Sequence, residues 1–205
     1  MTGERRIDEA EFLVVDVETT GLSPQSGDRV CEVGAVRLRG GAVVDTFGSL
    51  VDPRRPVSPG AFAVNRISSA MLLDAPVFTE VASRLRAMMK DAVLVAYNAP
   101  FDLTFLRSEF ALIGEPPIRN VVVDALALAR QLLPGLGKYS QDNVARMIGI
   151  PFPVKHRALE DVLITSKIFA ILTTILKAHD CVMISDLHRR YGVPLVLNSN
   201  FPIIT

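Results

Sequence analysis

Few cysteines, no net charge, no leader-like start and no long apolar run together narrow what this chain can be. Its two cysteines, Cys31 and Cys181, lie far apart without paired spacing. That excludes a disulfide framework or a clustered zinc site and fits a reducing, cytoplasmic setting. Lysine plus arginine (22) equals aspartate plus glutamate (22). No broad cationic field is available for nucleic acid, so any attraction for phosphate must be local or must come through a metal ion. The first nine residues are charged and contain no apolar core segment, so export is not expected. The greasiest stretch, 162–176, is interrupted by Ser166 and Lys167. It falls short of the roughly 20 apolar residues a membrane helix needs and reads as a core helix, so no membrane role is expected.

What is present suffices for one sizeable core: 205 residues, 49% of them hydrophobic, without repeats or low-complexity tracts. An apolar strand at 12–19 is followed by two β-rich runs, 30–39 and 43–51, joined around Gly40-Gly41, a strong hairpin signal. The proline-rich stretch 52–59 reads as a loop, 79–90 as an amphipathic helix and 92–97 as a short buried strand. Helices follow at 101–112, 124–133, 140–148 and 158–178, with a β-branched strand at 120–123 between the first two. Ser140 is placed to cap the third of these helices. Hairpin strands followed by alternating helices and strands predict an α/β domain with a mixed five-stranded sheet flanked by helices.

The most informative segment is Val14-Val15-Asp16-Val17-Glu18-Thr19-Thr20-Gly21. Strand side chains alternate faces, so Asp16 and Glu18 project together while Val15 and Val17 pack on the other side. Two carboxylates at the end of an apolar strand need a proton or a cation between them, and hard divalent cations prefer such oxygens. A second constellation is Asn98-Ala99-Pro100-Phe101-Asp102, where a buried strand turns into a helix. On residue type alone Asp102 also suits a first helical turn through the dipole, and Asn98 a turn. A third is His156-Arg157-Ala158-Leu159-Glu160-Asp161, at the entrance of the long helix. His156 is one of only three histidines. Glu160 and Asp161 point about 100° apart on a helix, so only one should enter a site; Asp161 is chosen.

These three segments resemble the motifs of the DEDDh (DnaQ-like) 3′-to-5′ exonucleases, the family of the proofreading epsilon subunit of bacterial DNA polymerase III. The likeness continues through 124–130 and 136–140 and covers about residues 10 to 175. It departs at Asn65-Arg66-Ile67, where many relatives read His-Gly-Ile; Arg66 adds a positive charge there that would strengthen a phosphate contact, alter the groove entrance, or simply stand exposed in a loop. The resemblance implies an RNase H-like fold in which Asp16, Glu18, Asp102 and Asp161 hold two Mg²⁺ or Mn²⁺ ions. Asp16 would bridge, Glu18 and Asp161 would serve the nucleophile-side ion, and Asp102 the environment of the second. His156 would be the general base, its ordinary pKa of about 6.5 leaving it able to accept a proton. Thr19, Thr20, Gly21, Leu22, Asn98 and Phe101 would receive the terminal nucleotide, Leu22 wedging against a base.

The reaction implied is hydrolysis of the terminal phosphodiester of single-stranded DNA 3′ ends to nucleoside 5′-monophosphates, in proofreading with a DNA polymerase subunit. The alternatives are trimming of RNA 3′ ends and a non-catalytic polymerase-binding subunit. Balanced charge predicts weak, salt-sensitive affinity for oligonucleotides in isolation. The exonuclease domain is expected over 10–178, with 179–205 a helical or extended appendage packed on it. Its charge-free end, 194–205, either docks on its own domain or binds a partner. Nothing in the sequence sets a homo-oligomeric state.

Overall fold

In a computed structural model, residues 5–151 and 157–191 are described. Five strands, β1 (Glu11–Thr19), β2 (Val30–Arg39), β3 (Ala42–Leu50), β4 (Val93–Ala96) and β5 (Val122–Asp124), form one sheet in the order β3-β2-β1-β4-β5. β1–β2 and β2–β3 pair antiparallel, whereas β1–β4 and β4–β5 pair parallel. The turn between β2 and β3 places Gly40 (φ 57°) and Gly41 (φ 83°) in the left-handed region. Two successive positive φ values are what a tight hairpin turn requires, and glycine reaches them without a Cβ clash.

Among the described residues the helices are α1 (Pro59–Asn65), α2 (Phe78–Met89), α3 (Ala99–Leu112), α4 (Ala125–Leu132), α5 (Gln141–Met147), α6 (Ala158–Ala178) and α7 (Ile184–Tyr191). Strand alternation divides the core into two layers. Phe12, Val14, Val36, Val93 and Val95 pack with Leu128, Val144, Ile168, Phe169 and Leu172 from α4, α5 and α6. Leu13, Val15, Val17, Val33 and Leu94 pack on the opposite face with Leu85, Met88, Leu103 and Phe105 from α2 and α3. β1, at the centre, is apolar on both faces until it reaches Asp16 and Glu18. No helix among the described residues is long and apolar enough to cross a membrane.

The expected mixed five-stranded sheet is therefore present, with most element ends shifted by one or two residues. Two helices were not foreseen as such. α1 begins at Pro59, inside the end of the expected loop, with Ser58 Oγ accepting from Ala61 N (3.1 Å). α7 joins the α6 layer, burying Ile184 and Leu187, and Arg6 bridges to Met183 beside the start of β1. Ser140 does occupy the cap position of α5, but its hydroxyl makes no capping bond. The charge-free segment 194–205 lies outside the described residues.

Candidate active site

The end of β1 is irregular. Glu18 is opposite Glu32 and Thr19 is opposite Val30, so Cys31 is an extra residue on β2 and the pairing bulges there. A bulge re-aims side chains at a strand end. Before the bulge, Asp16 and Glu18 follow the alternation of Phe12 and Val14 and stand on the α6 face, where α6 supplies Asp161 from its first turn. Ligand oxygens of Asp16, Glu18 and Asp161 all lie within 4.8 Å of one another. Glu160, next in the chain to Asp161, is exposed, and Asp161 is buried.

α6 comes this close because the sheet beneath it lacks side chains. A Cβ on Gly34 would fall 2.3 Å from the Ala158 carbonyl oxygen, and one on Gly48 would press on Leu159 at 3.1 Å. Gly34 and Gly48 are register partners in β2 and β3, and they form a flat seat for the helix entrance. Glu32, two residues before Gly34, accepts from Arg157 Nε (2.9 Å) and Nη2 (2.6 Å) at Oε1, and from Ala158 N (3.0 Å) at Oε2.

Asp102 reaches the same strand from the other layer. Pairing of β1 with β4 stops at Val14, which leaves the Val17 amide without a strand partner on that side. Asp102 Oδ1 accepts from it at 3.0 Å. A buried amide needs such a partner, and a buried carboxylate needs such a donor. Asp102 is not one of the three mutually close acids, but its charge acts on Asp16.

The electrostatics of this corner are adverse without a counter-ion. Burial, then the charges of Asp102, Glu18, Asp161 and Glu32, raise the Asp16 carboxyl well above the ordinary carboxylate range. Burial, then Asp161 and Glu32, lift Glu18 to about 7, opposed by a hydrogen bond from Asn65 and the charge of Arg157. Burial, then Glu160 and Glu32, lift Asp161 to about 7. Burial lifts Asp102 to about 8 against the Val17 hydrogen bond. Carboxylates forced to retain protons near neutral pH form an all-oxygen donor set that a hard divalent cation would fit, with release of those protons.

Beside the acids lies a cleft of about 630 Å³ lined by Glu18, Thr19 and Phe101, by Gly21 and Leu22 from the loop after β1, and by Ser58, Ala61, Val64 and Asn65. Leu22 projects with 85% of its surface exposed. A Cβ on Gly21 would fall 2.3 Å from the Asp28 carboxylate, which accepts from Ser23 N (3.1 Å) and would have to move. Thr20 does not line the cleft. It is buried, its N–H donates to Arg29 O (2.9 Å), and its hydroxyl is engaged by Asp28 and by Arg29 N. Asn98 is also absent from the lining; it is exposed, holds a left-handed conformation (φ 71°) at the entrance of α3, and donates its N–H to Asp124 Oδ1 (3.1 Å). His156 lies outside the described residues.

Asn65 is the residue whose importance sequence reading missed. Seen there only as a departure in a loop, it is 2% exposed, donates to Thr19 O (3.2 Å), accepts from Ile67 N (3.0 Å), and its side chain acts to lower the pKa of the Glu18 carboxyl. Its polar type in an apolar helix, Ala61-Phe62-Ala63-Val64-Asn65, was the available signal.

With this geometry in place, comparison with known proteins is decisive. A family model described as Exonuclease (RNase_T) matches residues 13–169, which include both layers of the sheet and all four acids. The chain belongs to this exonuclease family. A PolC-type DNA polymerase III of Caldanaerobacter subterraneus is 39% identical over 170 residues, 82% of this chain and 12% of that protein. A DNA polymerase III subunit epsilon-like protein of Rhodobacter capsulatus is 39% identical over 179 residues, 85% of this chain and 25% of that one. The DNA polymerase III epsilon subunit of Treponema pallidum is 36% identical over 82% of this chain and 77% of its own length. The chain thus spans a quarter or less of the first two relatives. Exonuclease X in complex with 5′-overhanging duplex DNA is 28% identical, with TM-score 0.65 over 82% of this chain and 93% of that one. Escherichia coli exonuclease I, solved with a dA16 oligonucleotide, shares the fold at TM-score 0.75 and 20% identity, over 89% of this chain and 43% of that one.

Proposed function

We propose that the protein is a metal-dependent 3′-to-5′ exonuclease that removes nucleoside 5′-monophosphates from single-stranded DNA ends. The observation that carries this reading is the convergence of Asp16, Glu18 and Asp161, with Asp102 against the same strand, beside a cleft open to a flexible polymer end. Asp16, Glu18 and Asp161 would hold Mg²⁺ or Mn²⁺, and Asp102, bonded to the Val17 amide, would complete the environment of a second ion. Two such ions, when bound, supply an activated water and stabilise the departing 3′ oxygen.

The protein's own groups do the rest. Leu22, Val64 and Phe101 offer apolar surface on which terminal bases stack, while Thr19, Gly21 and the loop around Asp28 shape the sugar pocket. Thr19 Oγ1 is already committed to Gly21 O (2.6 Å), so it stiffens that turn. Thr20 and Asn98 would act by holding the backbone, the first tying the turn to Arg29 and the second opening α3. His156, one residue before Arg157, is assigned the general-base role on its place in the third motif.

Among the described residues, the cleft lining contains no lysine or arginine. Such a lining favours unpaired ends held by stacking over duplex held by many phosphates, and it predicts weak, salt-sensitive binding. We assign 10–178 to the exonuclease unit and 179–205 to an appendage, place the protein in a reducing cytoplasm on its two free buried cysteines, and propose proofreading with a DNA polymerase subunit by analogy with the epsilon relatives. The test is release of nucleoside monophosphates from matched DNA and RNA oligonucleotides with Mn²⁺ or Mg²⁺. Release from DNA that is lost in Asp16→Ala is expected. Release from RNA in preference moves the substrate to RNA ends, and release from neither overturns the enzyme reading.

A further inference from the structure

Glu32 is a fifth carboxylate at this corner, and nothing in the metal site accounts for it. It is buried, and its Cα partner across the β1–β2 ladder is Glu18. Like charges directly opposite in a ladder are unfavourable. Yet Glu32 has no oxygen left over for a metal. Oε1 accepts from Arg157 Nε and Nη2, and Oε2 accepts from Arg157 Nε (3.1 Å) and Ala158 N (3.0 Å).

The same bonds solve a problem at the entrance of α6. Arg157 occupies the N-cap position in extended conformation (φ −139°, ψ 129°), and its side chain makes no capping bond. Helix starts leave amides without intrahelical partners, and a carboxylate there is favoured by both hydrogen bonding and the helix dipole. Here the cap comes from a distant strand: Glu32 takes the Ala158 amide and the Arg157 guanidinium together. Two residues along β2, Gly34 lets the backbone of the same turn rest on the sheet. Asp161 follows one turn later, its amide donating to Arg157 O (2.9 Å).

We propose that Glu32 and Arg157 form a positioning clamp that fixes the entrance of α6, and with it Asp161, against Asp16 and Glu18. Glu32 acts through the helix and does not ligate the ion. The inference rests on the metal-site reading above. It follows from the lever involved: the clamp and Asp161 share one helical turn, and a displacement of about 1 Å at such a site can cost about a hundredfold in rate.

The experiment compares Glu32→Gln, Arg157→Met, their double variant and Arg157→Lys in the full chain. Amide hydrogen exchange of 158–161 is followed in metal-free protein, Mn²⁺ titration by the melting midpoint, and kcat and KM on a single-stranded oligonucleotide. Each single variant is expected to speed first-turn exchange, to raise the Mn²⁺ midpoint about tenfold, and to lower kcat about 10- to 100-fold with KM within about twofold. The double should be no worse than the poorer single, because one unit has been broken once. Arg157→Lys, which keeps charge but cannot fork across both oxygens, should fall between wild type and Arg157→Met and covers the case in which a harsher variant fails to fold. The clamp is overturned if Glu32→Gln weakens Mn²⁺ while Arg157→Met does not, which would make Glu32 a ligand. It is equally overturned if neither changes first-turn exchange. If wild type shows no Mn²⁺ response and no cleavage, the metal-site reading fails instead, and metal-free exchange still reports whether the pair holds the helix.

Discussion

The two walls of the cleft are built from different materials. The acid wall is regular structure: a central strand, the seated first turn of α6, and a carboxylate from α3 that takes a strand amide. The opposite wall is the loop after β1 and the short helix α1, with Leu22 and Val64 projecting into solvent. Asn65 joins the two by donating to the carbonyl of Thr19 at the end of β1, and within the pocket wall Ser58 N donates to the Thr20 carbonyl (3.0 Å). Metal-dependent chemistry needs charges held to a fraction of an ångström, which packed strands and helices provide. A nucleotide pocket needs shape and stacking area, which a loop can supply and vary.

If that division is right, substitutions on the acid wall should change rate and those on the other wall should change binding. Asp16→Ala should lower kcat/KM at least about a thousandfold, roughly 4 kcal/mol of barrier, in an oligonucleotide release assay. Gly34→Ala should be next, because the new methyl meets α6 backbone that cannot swing aside. A loss of about 2 kcal/mol in urea unfolding is expected, together with a weaker Mn²⁺ response.

The acid wall should also show itself through pH. Glu18 and Asp161 at about 7 and Asp102 at about 8 lie above the about 4 of an unfolded carboxylate. The folded, metal-free protein therefore binds more protons than the unfolded chain across that interval. The stability this confers is fully present below about pH 4 and is lost as pH rises through 7 to 8. Differential scanning should show melting falling by about 5 °C between about pH 5.5 and about pH 8.5 without metal. Mn²⁺ at a hundred times its dissociation constant should restore about 2.7 kcal/mol at the alkaline end.

On the pocket wall, Leu22→Ala should raise KM about threefold to tenfold and leave kcat within about twofold, because the lost contact is made equally in ground and transition states. The smallest effect is expected at Arg66, which closes α1 in the left-handed region at φ 60°. Arg66→Gly should raise stability by about 0.5 kcal/mol and leave the rate unchanged, read from melting and turnover in parallel. A pocket-wall variant that lowered kcat as far as Gly34→Ala would erase the distinction between the walls.

Much of the acid wall was legible before the fold was known. Strand alternation places Asp16 and Glu18 on one face, and helical geometry separates Asp161 from Glu160. The pocket wall was less so. Pro59 to Asn65 sits in a proline-rich neighbourhood and is only seven residues long, too short for periodicity to reveal. Thr20 and Asn98 are residue types that suit a ligand pocket and a turn equally, and only packing shows that their groups are used within the protein.

By itself, then, the order of residues determined the five strands, the longer helices, the shared face of Asp16 and Glu18 and the choice of Asp161 over Glu160, because those depend on local periodicity and turn chemistry. Tertiary structure alone decided that Asp102 would reach around to the Val17 amide, that Glu32 would be tied to Arg157 across 125 positions of sequence, and that Asn65 would support Glu18 from beneath. Those are contacts between distant segments, set by how closely α6 and α1 can approach the sheet, and no local pattern encodes that distance.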